Sequence, residues 1–510
     1  MTEMTSVVQT TYGQVQGFWR DGSAAFLNLP YAMDPVGALR FEAPVPPDGW
    51  AGIRPALEYG PTPQRRTLSA VTTIPEPSIP GTGTLNLNVF TPTVPAGPGA
   101  GPEPGHGPGH EQGLLLPVLV WIHGGGFVGG SPASPWYDGA AFNRDGVVVV
   151  TISYRLGFDG FGWLPDAPLN RGMLDWIAAL KWVRSNIAAF GGDPDKVTLG
   201  GQSAGGGAVM SLRSSPLAEG LFSQALIMSG APLTVDMEAA KSTTARIAAA
   251  LNVPVSKAGF QSVTEEAVLD AQMVPFPDFS GSAAEQALDR ARFVTTSLVL
   301  GPITEDDDAV LDGGGSVPTL LGTTRDEFAG FIRPAAKAVD VLPATQALER
   351  VGASTRLAAE YAERSAGTPT SRTVENYLSD LTFRRFVPQV AGQATAPVWT
   401  YQFQWEPPAA GYSGHCVDLP FAFGLLDADG VEAALGANPP VALAASMHAG
   451  IAGFCKASNP GWTPYGEHGT TMIFDDVSGE ASSDPYSLSR LLAVDAPGRT
   501  SSAAGGRANT

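Results

Sequence analysis

Basic residues are scarce in this 510-residue chain: 30 Lys and Arg stand against 49 Asp and Glu, a formal net charge of −19. Nucleic-acid binding needs clustered cations against the phosphates, so that class is excluded, and an anionic membrane surface is disfavoured for the same reason. Cysteine is scarcer still. The two present, Cys416 and Cys455, cannot make a disulfide framework; a single bridge between them is the alternative to the free buried thiols expected here. Long apolar runs are missing too. The longest, Leu114 to Ile122 and Val147 to Ile152, fall far short of the roughly 20 residues a membrane-spanning helix needs. Met1 to Val7 lacks a basic stretch followed by an apolar one, so no signal peptide is read and a cytoplasmic location is expected. Metal-binding spacings are absent: there is no His-Glu-x-x-His and no paired Cys-x-x-Cys. No metal and no cofactor is expected.

What is present is a large apolar fraction, 44%, cut by 61 glycines and 44 prolines. That combination suits a big core wrapped in many loops. Thr84 to Phe90 alternates like a strand, and Leu114 to Ile122 and Val147 to Tyr154 read as buried strands. Leu174 to Phe190 carries Trp176, Ala179, Leu180, Val183 and Ile187 at helical spacing, and Lys196 to Leu199 reads as a further short strand. Residues 232–300 and 335–395 read as largely helical, with later strands at Thr319 to Gly322 and Val398 to Phe403. Strands alternating with helices predict an α/β fold: a large, mostly parallel sheet with helices on both faces and a site at the strands' carboxyl ends. A single domain is expected over 1–492. Within it, 95–112 is a flexible Gly/Pro-rich loop, and 493–510 is a disordered tail. His106 and His110 in that loop have no partner cluster for a metal, and Glu305 to Asp308 lacks the glycine and terminal glutamate of a calcium loop.

Gly201-Gln202-Ser203-Ala204-Gly205 carries the chemistry. A serine flanked by glycines two residues either side, between a strand and a helix, is a nucleophile elbow. The sharp turn tolerates only small neighbours and exposes the hydroxyl at the helix N-terminus. Serine is a weak nucleophile and needs a base, and the base needs an orienting acid. His415, in a loop following a late strand, is the first candidate base, with His448 and His468 behind it. Asp326 and Glu327 both follow the strand near 319–322, and position alone does not choose between them. His123-Gly124-Gly125-Gly126 follows a strand and can offer main-chain N–H groups to an oxyanion. Gly124, Gly126 and Gly129 also fit G-x-G-x-x-G. The Ser-Pro-Ala-Ser-Pro stretch that follows cannot start the helix a dinucleotide fingerprint requires.

These motifs, in this order, resemble the type-B carboxylesterase family of the α/β-hydrolase fold over most of residues 7–475. The resemblance rests on Leu29 to Ala32 with Pro35 to Gly37 and Leu39 to Phe41, on Leu87 to Val89, and on His123 to Phe127. It continues through Asn170 to Asp175, Phe190 to Pro194, the elbow, Met228 to Gly230, Glu327, and His415 with Asp418 to Phe421. It implies Ser203 as nucleophile, His415 as base and Glu327, not Asp326, as acid, with Ser229 supporting the acid. Gly124, Gly125 and Ala204 would form the oxyanion hole, with Gly125 the central donor. The implied activity is hydrolysis of small-molecule carboxylic esters through an acyl-enzyme. Carbamates or aryl amides are an alternative for the same machinery, and a non-catalytic binding protein is disfavoured by the intact triad. Three departures stand out. Gly81 to Thr84 replaces the family's acidic residue and cysteine, so its early disulfide cannot form. Gln202 replaces a frequent glutamate, which weakens a choline-ester reading. Phe328 replaces a common glycine and is expected in the pocket wall.

Overall fold

The structure is a computed structural model describing residues 3–66, 73–95, 114–274, 277–296, 300–304, 316–481 and 483–494. The loop expected at 95–112 beyond Pro95, with His106 and His110, lies outside the described residues. So do the acidic run Glu305 to Asp308 and the expected tail from 495 on.

A twelve-stranded sheet organises the chain. Its strands are β1 (Glu3–Met4), β2 (Phe18–Arg20), β3 (Ser23–Pro30), β4 (Asn86–Thr91), β5 (Leu116–Ile122) and β6 (Val148–Ile152). They continue with β7 (Gly192–Gln202), β8 (Gln224–Met228), β9 (Thr319–Thr324), β10 (Val398–Phe403), β11 (Met472–Phe474) and β12 (Gly479–Glu480). The spatial order is 1-2-3-4-6-5-7-8-9-10-11-12. From β6 to β11 every neighbouring pair is parallel. The β1–β4 end and the β12 edge are antiparallel, so the predicted sheet is mixed at its margins.

Both faces of the sheet are covered, which is why its inner strands are buried at successive positions rather than at alternate ones. Along β5, Val118, Val120 and Ile122 enter one core, and Leu119 and Trp121 enter the other. Helix α1 (Arg171–Asn186) buries Trp176, Ala179, Leu180 and Val183 on the first face, together with α2 (Ala204–Arg213). Helix α3 (Val441–Ala457) buries Leu443, Met447, Ile451 and Phe454 on the second.

Three sequence expectations change. Strand β4 does not alternate: all six residues are buried. Its asparagines are accommodated because Asn86 donates to the carbonyls of Pro61 and Gly83, and Asn88 donates to Thr151 Oγ1. Helix α1 begins three residues before the apolar spacing, since buried Arg171 is satisfied by the carbonyls of Phe158, Asp159, Gly162 and Pro168, and it gives way to a 3-10 turn at Ile187–Phe190. Strand β7 runs eleven residues rather than four, because Gly192 already pairs with Leu116.

Strand order reverses between β5 and β7, with β6 on the far side of β5. At such a switch point the connections leave toward opposite faces and open a crevice at the carboxyl ends. The segments following β5, β7, β8, β9 and β10 there carry His123 to Gly126, Ser203, Ser229, Glu327 and His415 respectively.

Candidate active site

The turn from β7 into α2 places Ser203 at φ 58°, ψ −124°, a left-handed conformation that a residue with a Cβ adopts only under strain. Neighbouring hydrogen bonds enforce it. The Ser203 N–H donates to Met228 O at 2.9 Å, and its carbonyl accepts from Gly207 N at 2.9 Å. Two glycines make the turn sterically possible. A Cβ on Gly201 would lie 2.4 Å from the Gly205 carbonyl carbon, and one on Gly205 would lie 2.1 Å from Ile122 O. Ala204 opens the helix, so its N–H has no intrahelical acceptor.

The acid and the base meet across β9 and β10. Glu327 Oε2 accepts a 2.5 Å hydrogen bond from His415 Nδ1. Its other oxygen accepts from Ser229 Oγ at 2.6 Å and from Thr324 N at 2.9 Å. Asp326, the competing candidate, faces elsewhere. It is ion-paired with Arg325 and Arg372 and accepts from Ser413 N at 3.0 Å. Burial works against its charge, but the two guanidiniums outweigh it and hold its pKa below the usual carboxylate value.

With Nδ1 donating to Glu327, His415 Nε2 carries the lone pair. In this structure it is met at 3.2 Å by Gln202 Nε2, whose amide also donates to Cys416 Sγ at 3.0 Å. The Ser203 hydroxyl lines the same cavity as His415 but is not hydrogen-bonded to the ring. Burial opposes the charged form of His415. The adjoining Cys416 and Glu327 outweigh that, so its pKa lies well above the ordinary 6.5. The other two candidate bases do not reach the site. His448, on α3, bonds from Nδ1 to Ala422 O in the neighbouring helix Leu419–Phe423 at 2.8 Å, and His468 is exposed.

His123 is structural. Its buried ring stacks on Tyr154, and burial pushes its pKa down to about 3, so it is neutral and donates from Nδ1 to Gly124 O at 2.8 Å. Tyr154 Oη donates to His123 O at 3.0 Å. The glycine turn is closed by Val128 N and Gly129 N on Gly125 O. The N–H groups of Gly124, Gly125 and Gly126 have no carbonyl partner among the described residues. Gly125 sits at φ +112°, where a Cβ would meet Gly129 O at 2.3 Å. The 3-10 turn Pro135–Tyr137 comes next and only then the five-residue helix Ala140–Arg144, so no helix N-terminus stands directly after the glycines as a dinucleotide fingerprint requires.

A cavity of about 300 Å³ lies over these groups. Ser203, His415, Gln202 and Gly124 to Gly126 form its floor, and Val128, Leu233, Phe293, Leu300, Phe328 and Phe383 supply an apolar wall. Phe328, expected in the pocket wall, is among the residues lining this cavity. Phe383 and Cys416 were not foreseen as cavity residues. Cys416 follows the base directly, which is a signal; Phe383 lies inside a helical stretch and carries none. Cys416 and Cys455 are both buried and not disulfide-bonded. Among the described residues no group of three His, Cys, Asp or Glu could hold a metal ion, and no helix is long and apolar enough to cross a membrane.

The profile of the carboxylesterase family matches residues 4–471. Para-nitrobenzyl esterase of Bacillus subtilis is 34% identical over 516 residues, covering 95% of this chain and 97% of that protein. Phenmedipham hydrolase of Pseudarthrobacter oxydans is 30% identical over 451 residues, covering 82% and 83%. Among solved structures, a carboxylesterase of Geobacillus stearothermophilus superposes with a TM-score of 0.77 at 30% identity, covering 95% of this chain and 99% of that one.

Proposed function

The chain belongs to the carboxylesterase family, and on that premise we propose that Ser203, His415 and Glu327 are the nucleophile, base and orienting acid of its ester hydrolysis. The observation that carries this assignment is the 2.5 Å bond from His415 Nδ1 to a Glu327 carboxylate that is itself fixed by Ser229 and Thr324. It leaves Nε2 basic at the edge of the cavity that Ser203 also lines.

Ser203 Oγ attacks the ester carbonyl carbon as its proton passes to His415 Nε2. In the resting enzyme that nitrogen faces the Gln202 amide, so the serine hydroxyl reaches it by rotation about its Cα–Cβ bond; such bonds are often long without substrate and close in the reacting complex. Glu327 stabilises the imidazolium without taking its proton. The N–H groups of Gly124, Gly125 and Ala204 receive the charge that builds on the carbonyl oxygen, with Gly125 central. Each donor of such a hole contributes roughly 3–4 kcal/mol to the transition state. His415 then protonates the departing alcohol. Water, deprotonated by the same ring, releases the acid from Ser203. The substrates are small-molecule esters, and the apolar wall favours those with apolar groups.

The test is turnover of a short-chain p-nitrophenyl ester together with labelling by an organophosphonate. Ser203→Ala and His415→Ala should each abolish turnover while leaving the circular dichroism spectrum unchanged, and the label should map to Ser203. A label on another residue, or full activity in Ser203→Ala, would overturn the assignment.

A further inference from the structure

One aromatic side chain contacts the proposed base without belonging to any motif. Phe383 stacks on the His415 ring at a centroid distance of 4.5 Å and an interplanar angle of 20°. Phe328 stacks on Phe383 at 5.7 Å and 17°, so the three rings form a column at the cavity wall. Phe383 sits in a π-helical turn, Asp380–Arg384, between two α-helical segments. A π turn is a costly local geometry, found mostly at functional sites.

This turn is held by buried charge. Asp380 accepts from Tyr361 Oη and Ser489 Oγ, both at 2.6 Å, and its carboxylate lies 2.7 Å from Arg384 Nε. Arg384 donates to Asn376 O and to Arg325 O, each at 2.8 Å. A buried ion pair is worth little to stability after desolvation, and apolar residues would serve packing as well. The arrangement instead fixes a turn whose outward ring lies flat on the imidazole. Its arginine also grips the loop that carries Glu327.

We propose that Phe383 is a positioning residue of the hydrolysis, its π face stabilising the His415 imidazolium that forms as Ser203 attacks. The proposal rests on the triad reading above. A cation over an aromatic face is attracted by the ring quadrupole, most strongly where water is excluded, and Phe383 is 4% exposed. The charged or titratable neighbours of the ring are Glu327 from the loop after β9, and the Cys416 thiol and Asp418 carboxyl on its own loop. Gln202, from β7, is uncharged.

The experiment is the pH profile of kcat/KM for an aryl ester. In Phe383→Leu the imidazolium loses its partner, so the acid limb should move to lower pH by roughly half a unit to one and a half units. The plateau should fall by a matching factor of about 3 to 30. Phe383→Tyr should keep both near wild type. Pentafluorophenylalanine at position 383 keeps the shape and reverses the sign of the face, so it should move the limb at least as far as leucine and remains decisive should Phe383→Leu not fold. A limb that stays in place in the folded leucine and fluorinated variants, or that moves to higher pH, would overturn the proposal. Failure of the triad reading looks different: His415→Ala would then keep both its activity and the wild-type limb.

Discussion

Glu327 divides its two carboxylate oxygens between the base and its own anchors: Oε2 takes the His415 Nδ1 proton bond at 2.5 Å, and Oε1 takes Ser229 and Thr324. One residue earlier, Asp326 spends its charge on Arg325 and Arg372. Adjacent carboxylates therefore have separable tasks, one chemical and one architectural. Glu327→Gln should lower kcat by roughly 10³–10⁴-fold, as loss of the orienting carboxylate does in such triads, with little change in melting temperature. Asp326→Asn should do the reverse: less than tenfold in kcat, but a stability loss of about 1.5–3 kcal/mol, since a buried carboxylate shared by two guanidiniums is lost while Arg325 keeps Glu406 and Arg372 keeps Glu375. Steady-state kinetics paired with thermal denaturation of both variants separates the outcomes. The opposite pattern would assign the acid to position 326.

Ser229 acts on the reaction only through Glu327. Its hydroxyl is fully buried, and the bond it donates is charge-assisted. Ser229→Ala removes one of two anchors and leaves the Thr324 N–H in place. The expected result is a drop in kcat of roughly tenfold or somewhat more with KM unchanged, corresponding to about 1.5–2 kcal/mol. A change confined to KM would mean that Ser229 shapes the cavity instead.

The residues that sequence reasoning found are those whose chemistry leaves a local mark. The elbow glycines are legible because a Cβ at 201 or 205 would strike backbone. Strands β5 and β6 are legible because burial on both faces demands unbroken apolar runs. Strands β1, β2, β11 and β12 span only two or three residues each, too few for any period to register. The choice between Asp326 and Glu327 needed the family resemblance, since neither spacing nor composition says which carboxylate turns toward a histidine some ninety residues on. Phe383 was beyond reach because a π turn has no sequence signature. Its stabilising network joins Tyr361, Asp380, Arg384 and Ser489 from distant segments.

The pH dependence follows from His415. Its folded-state pKa is raised above 6.5: burial lowers it, while Cys416 and Glu327 outweigh that effect. A general base must be neutral, so kcat/KM should fall as pH drops through that raised pKa, with the acid limb above pH 6.5. Stability runs the other way. A raised pKa stabilises the fold fully below the unfolded-state value, and that contribution is lost as pH rises through the folded-state one. Gln202 now donates to Nε2, which favours the neutral ring. Gln202→Glu would place a carboxylate there and should move the acid limb upward by roughly one unit or more. Limbs that coincide in wild type and Gln202→Glu would show that the amide contact at Nε2 is absent in solution.

Strain at Ser203 sets up the last test. At φ 58°, ψ −124° a side chain costs on the order of 1–3 kcal/mol, and only glycine is free of that cost. Glycine also gains freedom in the unfolded chain, a penalty of about 0.5–1 kcal/mol relative to alanine. The strain term is the larger, so Ser203→Gly should be more stable than Ser203→Ala by about 1 kcal/mol, although both are inactive. In a chain of this size that corresponds to a rise of roughly 1–2 °C in melting temperature, readable by calorimetry on the two variants side by side. The comparison with alanine isolates the backbone, because both variants lack the hydroxyl and any bond it makes. A glycine variant that melts below the alanine one would mean that the elbow is relaxed in solution, and that the exposed hydroxyl is not held there at the expense of the fold.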